Sequence, residues 1–352
     1  MKFPSLLGNF WNLILEMDGN MTKNIELNAK TLYKDPILVT GGSGFIGSHL
    51  IHELLKRGNR VYCVDSVITG SKENELTTRY NGRFSHIQQD VAVALLVSSR
   101  VGQIYHLACP ASPCQYQRDP LHTMRTNVFG AFNVCELAQR FGARVLLAST
   151  SEVYGDPLVH PQSEEYWGNV NSVGPRACYD EGKRAAETIF TDFHRTHGVD
   201  IRIARIFNTY GPGMSLEDGR VVSNFIVEAL QGKDLSLYGD GSQTRSFCYV
   251  SDMVAGLIDL MNAQDMEDAS LPVNLGNPEE YTIKELACMV RIEARRPFAG
   301  FRYCQLPQDD PTRRKPDISR AKRCLNWEPK ISLKDGLALT VSDFASRLGF
   351  FD

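Results

Sequence analysis

The sequence predicts an α/β protein in which a doubly wound parallel sheet is covered by helices on both faces, with a smaller C-terminal lobe beside it. Three observations point there. Short apolar runs alternate with longer helical stretches, the pattern of strand–helix–strand units. The first apolar run leads straight into a glycine-rich turn and a helix. After about Asn208 the texture changes to shorter elements separated by prolines, glycines and polar loops.

The organised part begins near Pro36. Ile37-Leu38-Val39 reads as a strand buried on both faces, because it is continuously apolar rather than alternating. Ile46, Leu50, Leu54 and Leu55 then share one face of a helix that stops at Gly58. Arg60–Val64 is a second strand, followed at once by Asp65. Further strands are expected at Phe84–Gln88, Gln103–Leu107, Val145–Ala148 and Ile201–Ile206, with helices over Leu121–Phe141 and Tyr179–His197 between them. Beyond, Val221–Leu230, Asp252–Met261 and Ile283–Arg296 read as helices. The expected division is an extension over 1–35, a first domain over 36–207 and a second lobe over 208–352 that is interleaved with the first.

Composition narrows the class. Of 352 residues 43% are hydrophobic and 22% charged, as in ordinary globular proteins, and the formal net charge of -3 offers no basic surface for nucleic acid or an anionic membrane. Nine cysteines are scattered with no CxxC pair, and the eight histidines show no HExxH, so no metal site is expected. Thiols in apolar segments suit a reducing compartment, and a cytoplasmic location is expected. Residues 3–15 are apolar but too short to span a bilayer, and Gly8, Asn9 and Asn12 interrupt them. A non-core extension is the preferred reading, while a membrane-associated or luminal location stays open.

The turn Thr40-Gly41-Gly42-Ser43-Gly44-Phe45-Ile46-Gly47 carries the first functional signal. Gly41 permits a tight turn, Gly44 lets a pyrophosphate approach the backbone, and Gly47 lets helix pack on strand. The helix N-terminus offers free N–H groups and partial positive charge to phosphates, with Phe45 and Ile46 in its first turn. Asp65, 18 residues beyond Gly47, can accept hydrogen bonds from adenosine ribose hydroxyls and would repel a 2′-phosphate. This is a Rossmann-type dinucleotide site, and NAD is expected over NADP. A turn that simply needs glycines is the plainer reading, but it does not explain the strand before, the helix after and the acid beyond.

The second signal is Tyr179-Asp180-Glu181-Gly182-Lys183. Tyrosine and lysine four apart share a helix face, and an ammonium beside a phenol lowers its pKa and can hold a nicotinamide ribose. Such pairs also occur by chance. Here the apolar strand upstream ends in Thr150-Ser151-Glu152, whose hydroxyls can complete a Ser/Thr–Tyr–Lys set.

From these motifs the chain resembles the extended short-chain dehydrogenase/reductases from about residue 36 to 345, and among them the UDP-glucuronate decarboxylases. The stretches that carry the resemblance are HLACPASP, STSEVYGDP, VHPQSEEYWGNVN, GPRACYDEGKRAAE, ARIFNTYGP, DGRVVSNFI, YGDGSQTRSF, NLGNPEEYTI and DDPTRRKPDI. The resemblance implies that Tyr179 is the base for the sugar 4-hydroxyl, that Lys183 lowers its pKa and orients the cofactor, and that Thr150 and Ser151 hydrogen-bond the reacting oxygen. Glu152 would position the sugar and take part in proton handling, and Arg314 would face the sugar carboxylate or the ring. It implies cofactor contacts at Asp90, Val91, Leu107, Thr126, Thr209 and Arg220. It implies substrate contacts at Arg125, Asn133, Asn208, Asn224, Tyr238, Gln243 and Arg245, the last with a guanidinium suited to a diphosphate. UDP-glucuronate is the expected substrate and a homodimer the expected assembly, with helices 121–141 and 179–197 forming a four-helix bundle, although burial against the sheet gives the same apolar pattern.

Gly213 and Ser215 depart from the resemblance, standing where an arginine and a histidine are frequent. So does DSVITG, which leaves Asp65 intact. An epimerase or 4,6-dehydratase on the same scaffold remains an alternative, although dehydratases carry Asp-Glu where this chain has Ser151-Glu152. A non-catalytic NAD sensor would not need Tyr179, Lys183, Ser151 and Glu152 together.

Overall fold

Seven short strands, apolar on both faces where they lie central, form one parallel sheet in the computed structural model, which describes residues 35–70, 82–264, 270–296 and 299–350. The strands are β1 (Ile37–Thr40), β2 (Val61–Asp65), β3 (Phe84–Gln88), β4 (Gln103–His106), β5 (Arg144–Thr150) and β6 (Ile201–Ile206), closed at the far edge by a strand from much later in the chain, Val273–Leu275. The helices between them are α1 (Phe45–Lys56), the single turn α2 (Pro113–Tyr116), α3 (Pro120–Phe141) and α4 (Ala177–His197). The expected extension, with its apolar stretch at 3–15, lies outside the described residues except for Asp35.

Side-chain alternation decides which helix covers which face. Val39, Cys63, Tyr105 and Leu146 point to the face covered by Leu50, Ile51, Leu54 and Leu55 of α1. Leu38, Val64, Ile104, Val145 and Leu147 point to the other, where Val134, Cys135 and Ala138 of α3 and Ala186 and Phe190 of α4 fill the layer. The ends are built as the residues direct. Asp119 caps α3, its carboxylate accepting from His122 N–H, and Gly142 and Gly198 end α3 and α4 in the left-handed conformation.

The C-terminal region adds small sheets. These contain β7 (Thr209–Tyr210), β8 (Leu235–Tyr238), β9 (Thr244–Ser246), β10 (Cys248–Tyr249), β12 (Glu280–Thr282), β13 (Phe301–Cys304) and β14 (Arg313–Arg314), with Val273–Leu275 taken as β11. Helices α5 (Val221–Leu230), α6 (Val250–Asn262), α7 (Ile283–Glu293), α8 (Ser319–Leu325) and α9 (Leu333–Arg347) complete it. β9 pairs antiparallel with β12 and parallel with β14, which brings Arg314 opposite Arg245. The main sheet runs β11-β6-β5-β4-β1-β2-β3, so the order reverses between β1 and β4. At such a switch point the loops leaving the C-terminal strand ends diverge and open a crevice. None of the helices among the described residues is long and apolar enough to cross a membrane.

Candidate active site

A cleft of about 1320 Å³ lies over the C-terminal ends of the strands, at the switch point and against the smaller lobe. Its floor is the glycine turn. Gly41 has a φ of 73°, and a Cβ there would sit 2.6 Å from the backbone N of Ala108, which leaves β4 on the other side of the switch. A Cβ at Gly47 would meet Gly41 O at 2.2 Å, so α1 can lie this close to the turn only without a side chain there. Gly44 opens onto the cleft as N-cap of α1 with no side-chain cap, which leaves the first-turn N–H groups of the helix for a ligand. Asp65 is nearly buried at the end of β2, where its carboxylate accepts from Ser43 N–H (2.9 Å) and Val67 N–H (2.7 Å). Each oxygen keeps a lone pair for a further donor. The cradle and the acid fit an adenine dinucleotide.

Phe45, Ile46, Asp90, Val91, Leu107, Thr126, Thr209 and Arg220 also line the cleft. Asp90 is paired with His122 (2.8 Å), and both guanidinium contacts of Arg220 go to Asp218. Deeper in, Tyr179 and Lys183 are buried on α4 next to Thr150, Ser151 and Glu152. Lys183 donates to the Ala148 carbonyl (2.9 Å), and its pKa is lowered by burial. Burial pushes the Tyr179 hydroxyl well above the ordinary tyrosine range. Cys109, Glu152 and Asp180 add to the shift, and the Thr150 hydrogen bond opposes it. Desolvating a phenolate is the largest cause of the shift, and Lys183, whose ammonium donates to the β5 backbone, is not among the groups that oppose it. His106, fully buried beneath, is pushed down to about 3 by burial and by Lys183, and it bonds Thr40 as a neutral ring.

Glu152 is held between two arginines. It accepts from Arg176 (2.5 Å) and Arg314 (3.4 Å). Burial alone would raise its pKa, but Arg314 and Arg176 outweigh that and hold it down to about 2. Arg176 also reaches Asp310 (3.4 Å), whose other oxygen accepts from Arg245 (2.9 Å). An alternating chain of charges thus links β14, the turn after β5, the start of α4, the loop after β13 and β9.

Asn208, Asn224, Tyr238, Gln243 and Arg245 line the end of the cleft in the smaller lobe. Three expected residues do not line it. Arg125 is exposed on the outside of α3, one position and so about 100° around the helix from Thr126, which faces inward. Asn133 donates to the Val91 and Val93 carbonyls and braces the loop after β3 (2.8 and 2.9 Å). Arg314, 1% exposed, does not line the cleft; it pairs with Glu152 and donates to the Ser151 and Gly155 carbonyls, so it holds the turn after β5.

Three further residues belong to this cluster. Arg176 sits one helical turn before Tyr179, a spacing that was there to be read. Asp310 and Tyr116 meet their partners across 134 and 63 positions of chain, and no local pattern announces them.

The chain is matched over residues 37–276 by the family model described as the NAD dependent epimerase/dehydratase family. It is 56% identical over 314 residues to UDP-glucuronic acid decarboxylase 6 of Arabidopsis thaliana, covering 89% of this chain and 90% of that protein. It is 53% identical to UDP-glucuronic acid decarboxylase 1 of Danio rerio, covering 89% of this chain and 73% of that one. Among solved structures, the dTDP-glucose 4,6-dehydratase DesIV of Streptomyces venezuelae with NAD and TYD bound superposes with a TM-score of 0.81 at 27% identity, covering 90% and 99% of the two chains.

Proposed function

The chain belongs to the NAD-dependent epimerase/dehydratase family, and from that premise we propose that it decarboxylates UDP-glucuronate to UDP-xylose through a 4-keto sugar, recycling NAD within the cleft. The observation that carries this reading is the pairing of Ser151 with a Glu152 locked ionised by Arg176 and Arg314, next to Tyr179 and Lys183. The relatives at 56% and 53% identity named as UDP-glucuronic acid decarboxylases support it.

The chemistry explains why a redox site serves a decarboxylation. CO2 cannot leave a saturated uronic acid easily, because the electron pair has nowhere to go. A ketone at carbon 4 makes the acid a β-keto acid, and the pair then enters the carbonyl as an enolate. Bound NAD supplies the hydride acceptor, later the hydride donor, and a positive charge in the cleft.

The protein supplies the rest. Tyr179 takes the proton of the 4-hydroxyl and returns it at the end. Thr150 and Ser151 hydrogen-bond the same oxygen. Lys183, anchored on Ala148, holds the cofactor ribose. Glu152 stays ionised and accepts hydrogen bonds from the sugar. Arg245 and Asn224 meet the diphosphate, while Tyr238 and Gln243 flank the uridine.

On this reading residues 36–207 bind mainly the cofactor and 208–352 mainly the nucleotide sugar. Leu121, Phe129 and Phe132, exposed on α3, support a homodimer through α3 and α4, and nine free thiols support a cytoplasmic setting. The test is incubation with UDP-glucuronate and no added cofactor, read by mass spectrometry. UDP-xylose with CO2 is expected. UDP-galacturonate, or loss of water with the carboxyl retained, would overturn the reading.

A further inference from the structure

Decarboxylation of UDP-glucuronate consumes a proton. Breaking the bond between carbons 5 and 6 releases CO2 and leaves its electron pair in the enolate, and that pair then forms a new C5–H bond. Tyr179 takes one proton at the oxidation and returns it at the reduction, so it contributes none to this balance. Glu152 is held ionised by two arginines and is a poor donor.

A second cavity, of about 260 Å³, adjoins the cleft and shares Glu152, Arg176, Asp310 and Pro311 with it. Asp180 lines this side pocket. It is 6% exposed, and its Oδ1 has no hydrogen-bond partner, nor has Arg176 Nε beside it. Two unpartnered buried polar atoms in a cavity of this size make a water site. The outer wall, Asp156, Asn169, Val170 and Asn171, belongs to segments that reach the surface.

We propose that Asp180 and the side pocket deliver the proton that replaces CO2 at carbon 5. The inference rests on the decarboxylase reading above. The Asp180 carboxyl releases its proton through water, past Glu152, to the enolate, and the resulting carboxylate is reprotonated from solvent through the side pocket.

The groups facing Asp180 agree. Burial and the Glu152 charge raise its pKa to about 8, and Glu181 adds to this, while Arg176 and Arg314 pull down. The Arg176 contact with Asp180 is long, at 4.0 Å, and does not outweigh burial and Glu152. Tyr116, Tyr179 and Cys178 also feel its charge, and all three have raised pKa values themselves, which leaves them neutral. Asp180 therefore carries a proton at neutral pH, and relay through it is lost as pH rises past about 8.

The experiment uses full-length protein and UDP-glucuronate, following CO2, UDP-xylose and absorbance at 340 nm in H2O and D2O. Asp180→Asn should lower kcat on the order of 10²-fold with KM little changed. Reduced cofactor should accumulate during turnover, because hydride return waits for the C5 proton, and Asp180→Glu should recover most of the rate. Val170→Phe, which narrows the pocket while keeping Asp180, should enlarge the solvent isotope effect and slow reprotonation. The relay is overturned if Asp180→Asn turns over at the wild-type rate without reduced cofactor building up. Should that variant not fold, an unchanged isotope effect in Val170→Phe overturns it. Wild-type protein that forms no CO2 sinks the decarboxylase reading, and the relay with it.

Discussion

Tyr116 lies flat against Tyr179, with ring centroids 5.0 Å apart and planes 2° from parallel. The stack holds the Tyr179 ring at the cleft whatever happens to its hydroxyl. Tyr179→Phe therefore keeps the packing and removes only the acid–base group. Turnover should fall by about 10²–10⁴-fold, while NAD copurifies as before and the melting temperature barely moves. A variant that decarboxylates at near the wild-type rate would remove Tyr179 from the mechanism.

Arg314 and Glu152 form a buried pair, and removing one partner strands the other. Arg314→Met should destabilise the fold by about 3–5 kcal/mol at pH 7. Glu152 is depressed from an ordinary 4.5 to about 2, so the stability it lends is full above pH 4.5 and lost as pH falls through about 2. Without Arg314 its pKa is less depressed, so the deficit should shrink between pH 7 and pH 4. Urea unfolding at the two pH values measures it, and an equal deficit at both would mean that Arg314 acts by packing alone.

Asp65 accepts two backbone N–H bonds and still faces the cleft. Asp65→Asn keeps the size of the side chain but removes the charge and one of the two oxygens that accept backbone N–H bonds. NAD affinity should drop roughly tenfold or more, the scale of one charge-assisted hydrogen bond. A fluorescence titration with NAD checks this, and unchanged affinity would place the adenosine ribose elsewhere.

Gly47→Ala forces a methyl against Gly41 O. The contact is backbone on both sides, so the helix must move away from the turn. We expect a loss of about 1–3 kcal/mol and a protein that purifies without NAD. Calorimetry and the absorbance ratio at 260 and 280 nm report both at once.

The β1 turn and the Tyr179–Lys183 spacing were legible because each is local: residues within one turn or one helical repeat announce their own geometry. Strand order was less so. Nothing around Val273–Leu275 reveals that these residues return to pair with β6. Motif position puts the segment of Arg125 and Asn133 near the site, whereas helix phase decides which of its side chains enter it. Arg314 was drawn to the right neighbourhood, but its partner is the protein's own Glu152. The burial of Tyr179 is a tertiary quantity, invisible in a four-residue spacing.

β11 enters the main sheet from deep within the C-terminal half, hydrogen-bonded along β6. A fragment ending near Asn208 would therefore expose the bare β6 edge and would be prone to pair with another molecule instead. The two halves should melt in one calorimetric transition, and fragments from a nick between them should stay associated through that shared strand until the whole sheet comes apart.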